Sequence, residues 1–302
     1  NNLHVVNYSI PVDKTVTLEE LQEHLYSIPD MPTAIPYITS YYNPRWGFCI
    51  SEQERKSLQK GQYKVFIDSS LETGSLSYGE LIIPGKSKKE VLLTTYICHP
   101  SMANNECSGI AVTTFLAKWL NERDNRYTYR IVFAPETIGA ITYISKNYND
   151  LKNNVIAGFN MTCVGDDRAY SFMPSRNGNT TTDRIARHVL DSCVEKYEEY
   201  SFLERGSDER QYCHPNVDLP VVSVMRSKYG TYPEYHTSLD NFDVVTSQGL
   251  NGAYNIIQKC ILLTEENKIY KNQIICEPKM SKRDLHPKEW LARHLGNGKE
   301  LK

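Results

Sequence analysis

Two histidines and a few carboxylates, far apart in a chain of 302 residues, sit where polar loops follow apolar runs. They are His99 in Cys98-His99-Pro100-Ser101, Glu106 in Ala103-Asn104-Asn105-Glu106-Cys107-Ser108-Gly109, Glu136 in Ala134-Pro135-Glu136-Thr137, and His236 in Tyr235-His236-Thr237-Ser238-Leu239-Asp240. Imidazole and carboxylate are the donors a hydrolytic zinc centre uses. Such a centre also needs one open position for water and one unligated carboxylate to take the water's proton. His99 and His236 are therefore the imidazole candidates, Glu106 is the carboxylate nearest the first of them, and Glu136 is the candidate general base.

The elements that must position these groups follow from hydrophobic patterning. Residues 91–97 form an apolar run flanked by charge, as in a strand buried on both faces. Residues 110–120 place Val112, Phe115, Leu116, Trp119 and Leu120 on one helical stripe. Strands at 129–133, 155–160 and 219–225 alternate with helices from Thr137, through Ile185, Val189, Cys193 and Tyr197, and through Leu250, Tyr254, Ile257 and Ile261. This pattern predicts an α/β fold, a mixed sheet sandwiched by helices. Ligands in open α/β sheets bind beyond the carboxyl ends of the strands. Four such ends carry the two histidines and the carboxylates.

The first 78 residues read differently. They are rich in Tyr, Pro and short extended runs (4–10, 35–42, 63–67), with one helix opening at Thr17, where Thr17 and Glu20 suggest a capping box. We expect a small β-rich module at 1–78, an α/β domain at 79–268 and a peripheral extension at 269–302. Tyr41, Tyr42, Arg45 and Trp46 offer the module an aromatic and cationic surface for a sugar or peptide, though such aromatics also build cores.

Composition excludes several classes. Lys and Arg number 34 against 36 Asp and Glu, so no basic surplus favours nucleic acid. No apolar run nears the roughly 20 residues of a membrane span, and the opening Asn1-Asn2-Leu3-His4 shows no charged segment leading into an apolar one, so no export signal is visible. The expectation is a cytoplasmic protein acting on a small molecule or short peptide, with no membrane partner and an oligomeric state left open. The eight cysteines are scattered without a CxxC pair, which suits free thiols.

At this point the motifs resemble a known family. Glu80-Leu81-Ile82-Ile83-Pro84-Gly85, a strand ending in His99, the 103–109 segment, Phe133-Ala134-Pro135-Glu136-Thr137-Ile138-Gly139 and the 235–240 segment, in that order, are similar to the M28-type zinc aminopeptidase fold over residues 80–265. The N-terminal block, with Pro11-Val12-Asp13-Lys14 and Ile38-Thr39-Ser40-Tyr41-Tyr42, resembles the DUF2172 insert. Together they resemble the DUF4910/DUF2172 aminopeptidase-like proteins, some of them labelled polysaccharide biosynthesis proteins. The resemblance implies His99 and His236 as imidazole ligands and Glu136 as general base. It also exposes departures: Thr137, Asn105, Thr162 and Ser101 stand where the family carries Glu, Asp, Asp and Asp. Neutral groups cannot offset two divalent ions, so the expectation is one zinc, with Glu106 as third ligand and Asp208 in reserve. Related glutaminyl cyclases of this fold use one zinc. Asn105, Asp208, Arg210, Tyr212 and Arg226, with Tyr229, are candidate substrate contacts, because their segments should border the same mouth.

Each residue also has a plainer reading. His99 before Pro100 can simply end a strand, Glu106 and Glu136 can be helix-start charges, and Asp208 with Arg210 can be a structural ion pair. Two other functions stay open: a non-catalytic binding or scaffold protein, and a thiol enzyme using Cys98 or Cys213 with His99 or His214. Neighbours on a strand face opposite ways, which would place those thiol pairs badly.

Overall fold

The computed structural model describes residues 4–41, 43–99, 101–268, 270–276 and 279–284. Residues Asn1–Glu266 form one compact unit and Asn267–Lys302 a second. Residues 285–302 of the expected peripheral extension lie outside the described residues, and the second unit's described part contains one short helical turn, Met280–Arg283.

The N-terminal lobe contains β1 (Val12–Thr17), α1 (Leu18–Gln22), β2 (Leu25–Tyr26), β3 (Phe48–Cys49), α2 (Glu52–Ser57) and β4 (Gln62–Ile67). β1 and β4 pair antiparallel with Val12 opposite Ile67. Inward residues Val16, Val65 and Ile67 meet Leu21, Leu25 and Trp46 in a small core of their own. Only half of the expected capping box forms. Thr17 Oγ1 accepts the Glu20 N–H at 3.2 Å, while the Glu20 carboxylate turns to Lys14 at 2.7 Å.

The main sheet follows. Its elements are β5 (Gly79–Ile83), β6 (Ser87–Tyr96), α3 (Ser108–Asn121), β7 (Tyr127–Ala134), α4 (Ile138–Asn154), β8 (Val155–Asn160), β9 (Ser171–Met173), α5 (Thr181–Cys193), β10 (Glu198–Glu199), α6 (Glu209–Tyr212), β11 (Val221–Met225) and α7 (Ser247–Glu266). The seven strands run in the order β10-β9-β11-β8-β6-β7-β5. β6, β7, β8 and β11 are mutually parallel where they pair, β5 is antiparallel to β7 and β9 to β11, and the short β10 lies parallel to β9.

The strand period of two divides the sheet's side chains between two cores. Val91, Leu93, Ile131 and Val222 pack toward α3, α5 and α7, whereas Leu92, Val132 and Val221 pack toward α4 and α6. Burying each such aliphatic side chain is worth about 1.5–3 kcal/mol, which holds the four parallel strands in one register. Their carboxyl ends consequently open on the same side. At that edge α3 comes unusually close: a Cβ on Gly109 would lie 2.6 Å from both the Met161 carbonyl oxygen and Thr95 Oγ1. Glycine is required for the helix to start there. Among the described residues no helix is long and apolar enough to cross a membrane.

Candidate metal and hydrolytic site

β6 stops at Tyr96, and the chain continues through His99 toward a π-helical turn, Ala103–Cys107, that feeds α3. This turn is tied down on two sides. Buried Asp240 accepts the N–H groups of Asn104 (2.6 Å) and Asn105 (3.0 Å) and the Tyr232 hydroxyl (3.0 Å). Asn104 in turn accepts from Gly165 N–H at 2.8 Å and donates to Asp166 at 3.0 Å. The loops after β6, β8 and β11 are thereby locked together around one point.

At that point Cys98, His99 and Glu106 converge, with one donor atom from each lying within 4.8 Å of the others. His99 Nδ1 is 3.2 Å from Glu106 Oε2 and 3.1 Å from Cys98 Sγ. Two donors bound tetrahedrally to one zinc, with bonds of about 2.0–2.3 Å, stand roughly 3.3–3.6 Å apart. The observed spacings are close to that. Glu106 Oε1 accepts the Cys98 N–H, which leaves Oε2 on the His99 side. The ring of His236 lies 5.0 Å from that of His99, tilted by 32°. Its Nε2 is buried with no hydrogen-bond partner among the described residues. Burial, reinforced by His99, lowers the His236 pKa to about 4, so the ring is neutral and can donate a lone pair. An orphaned neutral imidazole beside a compact Cys–His–Glu cluster fits a cation.

Cys98 was not expected here. The strand argument that set Cys98 and His99 on opposite faces fails because β6 ends two residues before Cys98, and without the pleat the two side chains meet. Burial and the Glu106 carboxylate push the Cys98 thiol well up, so without a metal it stays protonated.

Glu136 follows the end of β7. The next residue, Thr137, has φ of 63° and ψ of −70°, a strained γ-turn closed by the Ile138 N–H on the Glu136 carbonyl at 2.7 Å, which costs about 1–3 kcal/mol. Buried Asp208 accepts the Thr137 N–H at 2.7 Å, and exposed Arg210 reaches Thr137 Oγ1 at 3.4 Å. This strained elbow brings Glu136 to the cluster, its own N–H directed at Cys98 Sγ at 3.4 Å. Burial raises the pKa of Glu136 against the opposing pull of His99, and burial likewise lifts that of Asp208 well above the ordinary aspartate range.

The remaining predicted residues separate. Asn105 is buried; its Oδ1 accepts the Tyr96 hydroxyl at 3.2 Å and its Nδ2 is unpaired among the described residues. The Tyr96 hydroxyl also meets Thr162 Oγ1 at 2.5 Å, so the neutral Asn105 and Thr162 share a phenol between them. Tyr212 is corrected to a core residue: it is fully buried, with its hydroxyl 3.3 Å from Thr94. Arg226 is likewise committed internally, its Nε donating to the Asp166 carbonyl at 2.7 Å and its guanidinium 3.6 Å over the Tyr170 ring. Tyr229 donates to Glu209 at 2.7 Å. Cys213 is buried with its thiol on the Leu219 and Val221 carbonyls, which removes it and His214 as a reactive pair. In the N-terminal lobe Trp46 is core and stacks on His24 at 3.6 Å, Arg45 Nη2 donates to the Thr39 carbonyl at 3.2 Å, and Tyr41 is exposed. Tyr42 and Pro100 lie outside the described residues. Sequence reasoning passed over Tyr37, which packs against both imidazoles. Its position in an extended run carried no signal.

Comparison with known proteins agrees with this architecture. Residues 2–267 match the family model of a domain of unknown function, DUF4910. A Clostridium acetobutylicum protein, named for polysaccharide biosynthesis and an aminopeptidase-like domain, is 44% identical over 301 residues, covering 99% of this chain and 68% of the relative. A crystal structure from the same species, described as a peptidase, superposes with a TM-score of 0.89 at 44% identity over 99% of this chain and 70% of its own. The zinc aminopeptidase BSAP of Bacillus subtilis superposes with a TM-score of 0.60 at 14% identity over 80% of this chain and 63% of its own, a likeness of fold. On these grounds the chain belongs to the DUF4910 family and carries the fold of the zinc aminopeptidases.

Proposed function

We propose that this chain is a metal-dependent amide hydrolase of aminopeptidase type with one zinc ion per chain. The observation that carries the proposal is the His236 Nε2, without a hydrogen-bond partner among the described residues, beside the Cys98–His99–Glu106 cluster. His99, Glu106 and His236 are the proposed ligands, with Cys98 Sγ inside the same reach. When bound, zinc supplies Lewis acidity toward a scissile carbonyl. Glu136, its carboxyl pKa raised by burial, takes a proton from the attacking water and returns it to the leaving amine. The unpaired Asn105 Nδ2 and the rim guanidinium of Arg210 are the proposed donors to substrate, and Asp208 holds the elbow that aims Glu136. Three neutral residues, Asn105, Thr162 and Thr137, argue against a second ion.

The polysaccharide-biosynthesis name of the Clostridium relative supports a small peptide, aminoacyl or N-acyl substrate on a glycan precursor. The test is metal analysis after zinc reconstitution, paired with turnover of aminoacyl and N-acetyl sugar substrates by wild type and Glu136→Gln. The expected result is one zinc in both proteins and a loss of about 10²–10⁴ in rate for the variant. Stoichiometric zinc with no turnover in either would support the non-catalytic binding role instead.

A further inference from the structure

We propose that Tyr37 of the N-terminal lobe is a positioning residue for the two imidazoles, so that this lobe is a working part of the metal site; the inference rests on His99 and His236 being ligands. The Tyr37 ring lies 5.0 Å from that of His99 at 60° and 5.3 Å from that of His236 at 70°. It therefore presents an edge or tilted contact to both rings at once. Tyr235 stacks on His236 at 4.0 Å and 14°, so the second imidazole has one aromatic neighbour face-on and another edge-on. Its Nε2 makes no hydrogen bond among the described residues, so at that nitrogen packing, and not a partner, locates the ring.

The backbone around His236 is held by the same segment. Tyr37 N–H donates to the His236 carbonyl at 2.8 Å, Ile35 N–H to Ser238 Oγ at 3.0 Å, and Ser238 N–H to the Ile35 carbonyl at 2.8 Å. Pro36 and Thr237 form an antiparallel bridge. His236 itself has φ of 56°, a left-handed conformation that a non-glycine residue keeps only where its surroundings impose it. Residues 35–38 are that surrounding. They are anchored in their own lobe: Asn7 Nδ2 donates to the Tyr37 hydroxyl at 2.9 Å, and Asn7 N–H donates to the Ile38 carbonyl at 2.9 Å. An extended segment of the lobe thus straps the His236 turn and wedges one ring against both ligands. Groups that orient metal-bound histidines typically change metal affinity by about 10- to 100-fold when removed.

The experiment uses the full chain as wild type, Tyr37→Ala, Tyr37→Phe and Ser238→Ala. Two quantities are read: the zinc dissociation constant by chelator competition, and the His236 Cε1–Hε1 resonance of metal-free protein, assigned by its loss in His236→Gln. Tyr37→Ala is expected to shift that resonance and weaken zinc by about 10- to 100-fold, while Tyr37→Phe, which keeps the ring, stays within about threefold of wild type. An unchanged resonance together with unchanged zinc affinity in Tyr37→Ala overturns the proposal. If thermal unfolding shows that Tyr37→Ala has lost the fold of the lobe, Ser238→Ala decides, since it loosens the strap without deleting any ring: a shifted His236 resonance supports the proposal and an unmoved one overturns it. Failure of wild type to bind zinc would defeat the hydrolase reading, and the metal-free resonance would still judge Tyr37.

Discussion

Replacing Asp240 by alanine should unlock the turn that carries Glu106. The carboxylate is wholly buried and accepts two backbone N–H groups, from Asn104 and Asn105, and the Tyr232 hydroxyl. Hydrogen bonds to a charged group contribute about 1.5–3 kcal/mol each, and stranding a buried donor costs about 1–3 kcal/mol. Against this stands relief of the carboxylate's burial, which raises the pKa of Asp240. Taking the two together, Asp240→Ala should lose about 3–5 kcal/mol. For a unit that spans Asn1–Glu266 that lowers the melting temperature by about 5–9 °C. Asp240→Asn keeps one acceptor oxygen and should lose roughly half as much. The assay is urea and thermal denaturation of metal-free protein, followed by zinc competition. Zinc affinity should fall with stability, because the Asn104 and Asn105 amides fix the turn on which Glu106 rides. An alanine variant melting within about 2 °C of wild type would refute this account of the clamp.

Other consequences are equally direct. Gly109→Ala would place a Cβ 2.6 Å from the Met161 carbonyl oxygen; urea denaturation should show a loss of about 1–3 kcal/mol from overpacking. Asp208, its pKa raised by burial, keeps a proton in the folded state that the unfolded chain has already released, so its contribution to stability declines as pH rises from the ordinary aspartate range to its folded pKa. Asp208→Asn, which still offers an oxygen to the Thr137 N–H, should therefore gain on wild type as metal-free protein is taken from about pH 4 to about pH 7, and a pH-independent difference in urea midpoints would contradict this. Iodoacetamide at neutral pH should label exposed Cys107, Cys193 and Cys276 before Cys98, whose thiol burial and Glu106 keep protonated; mass spectrometry showing Cys98 labelled first would revive a thiol mechanism.

Much of the architecture was legible in the residue order because its causes are local or periodic. The apolar run from 91 reads as a strand covered on both faces, which holds through Tyr96 and stops short of the exposed Ile97, and the stripe through Val112, Leu116 and Leu120 reads as a helix lying on it. Parallel strands force their carboxyl ends to one side, which is why His99, Glu136 and His236 could be grouped without coordinates. Contacts that depend on irregular backbone were not legible. Cys98 turns beside His99 because the pleat stops at Tyr96, and Tyr212 turns inward because the short α6 packs that face against the sheet. The Tyr37 strap joins residues some 200 positions apart through loops that follow no period. Sequence alone thus determined which elements exist and which loops share an edge, since periodic burial is written residue by residue. Which side chains meet at that edge was decided by tertiary structure, since strained turns, buried carboxylate clamps and the placement of a second lobe arise only when distant segments close on one another.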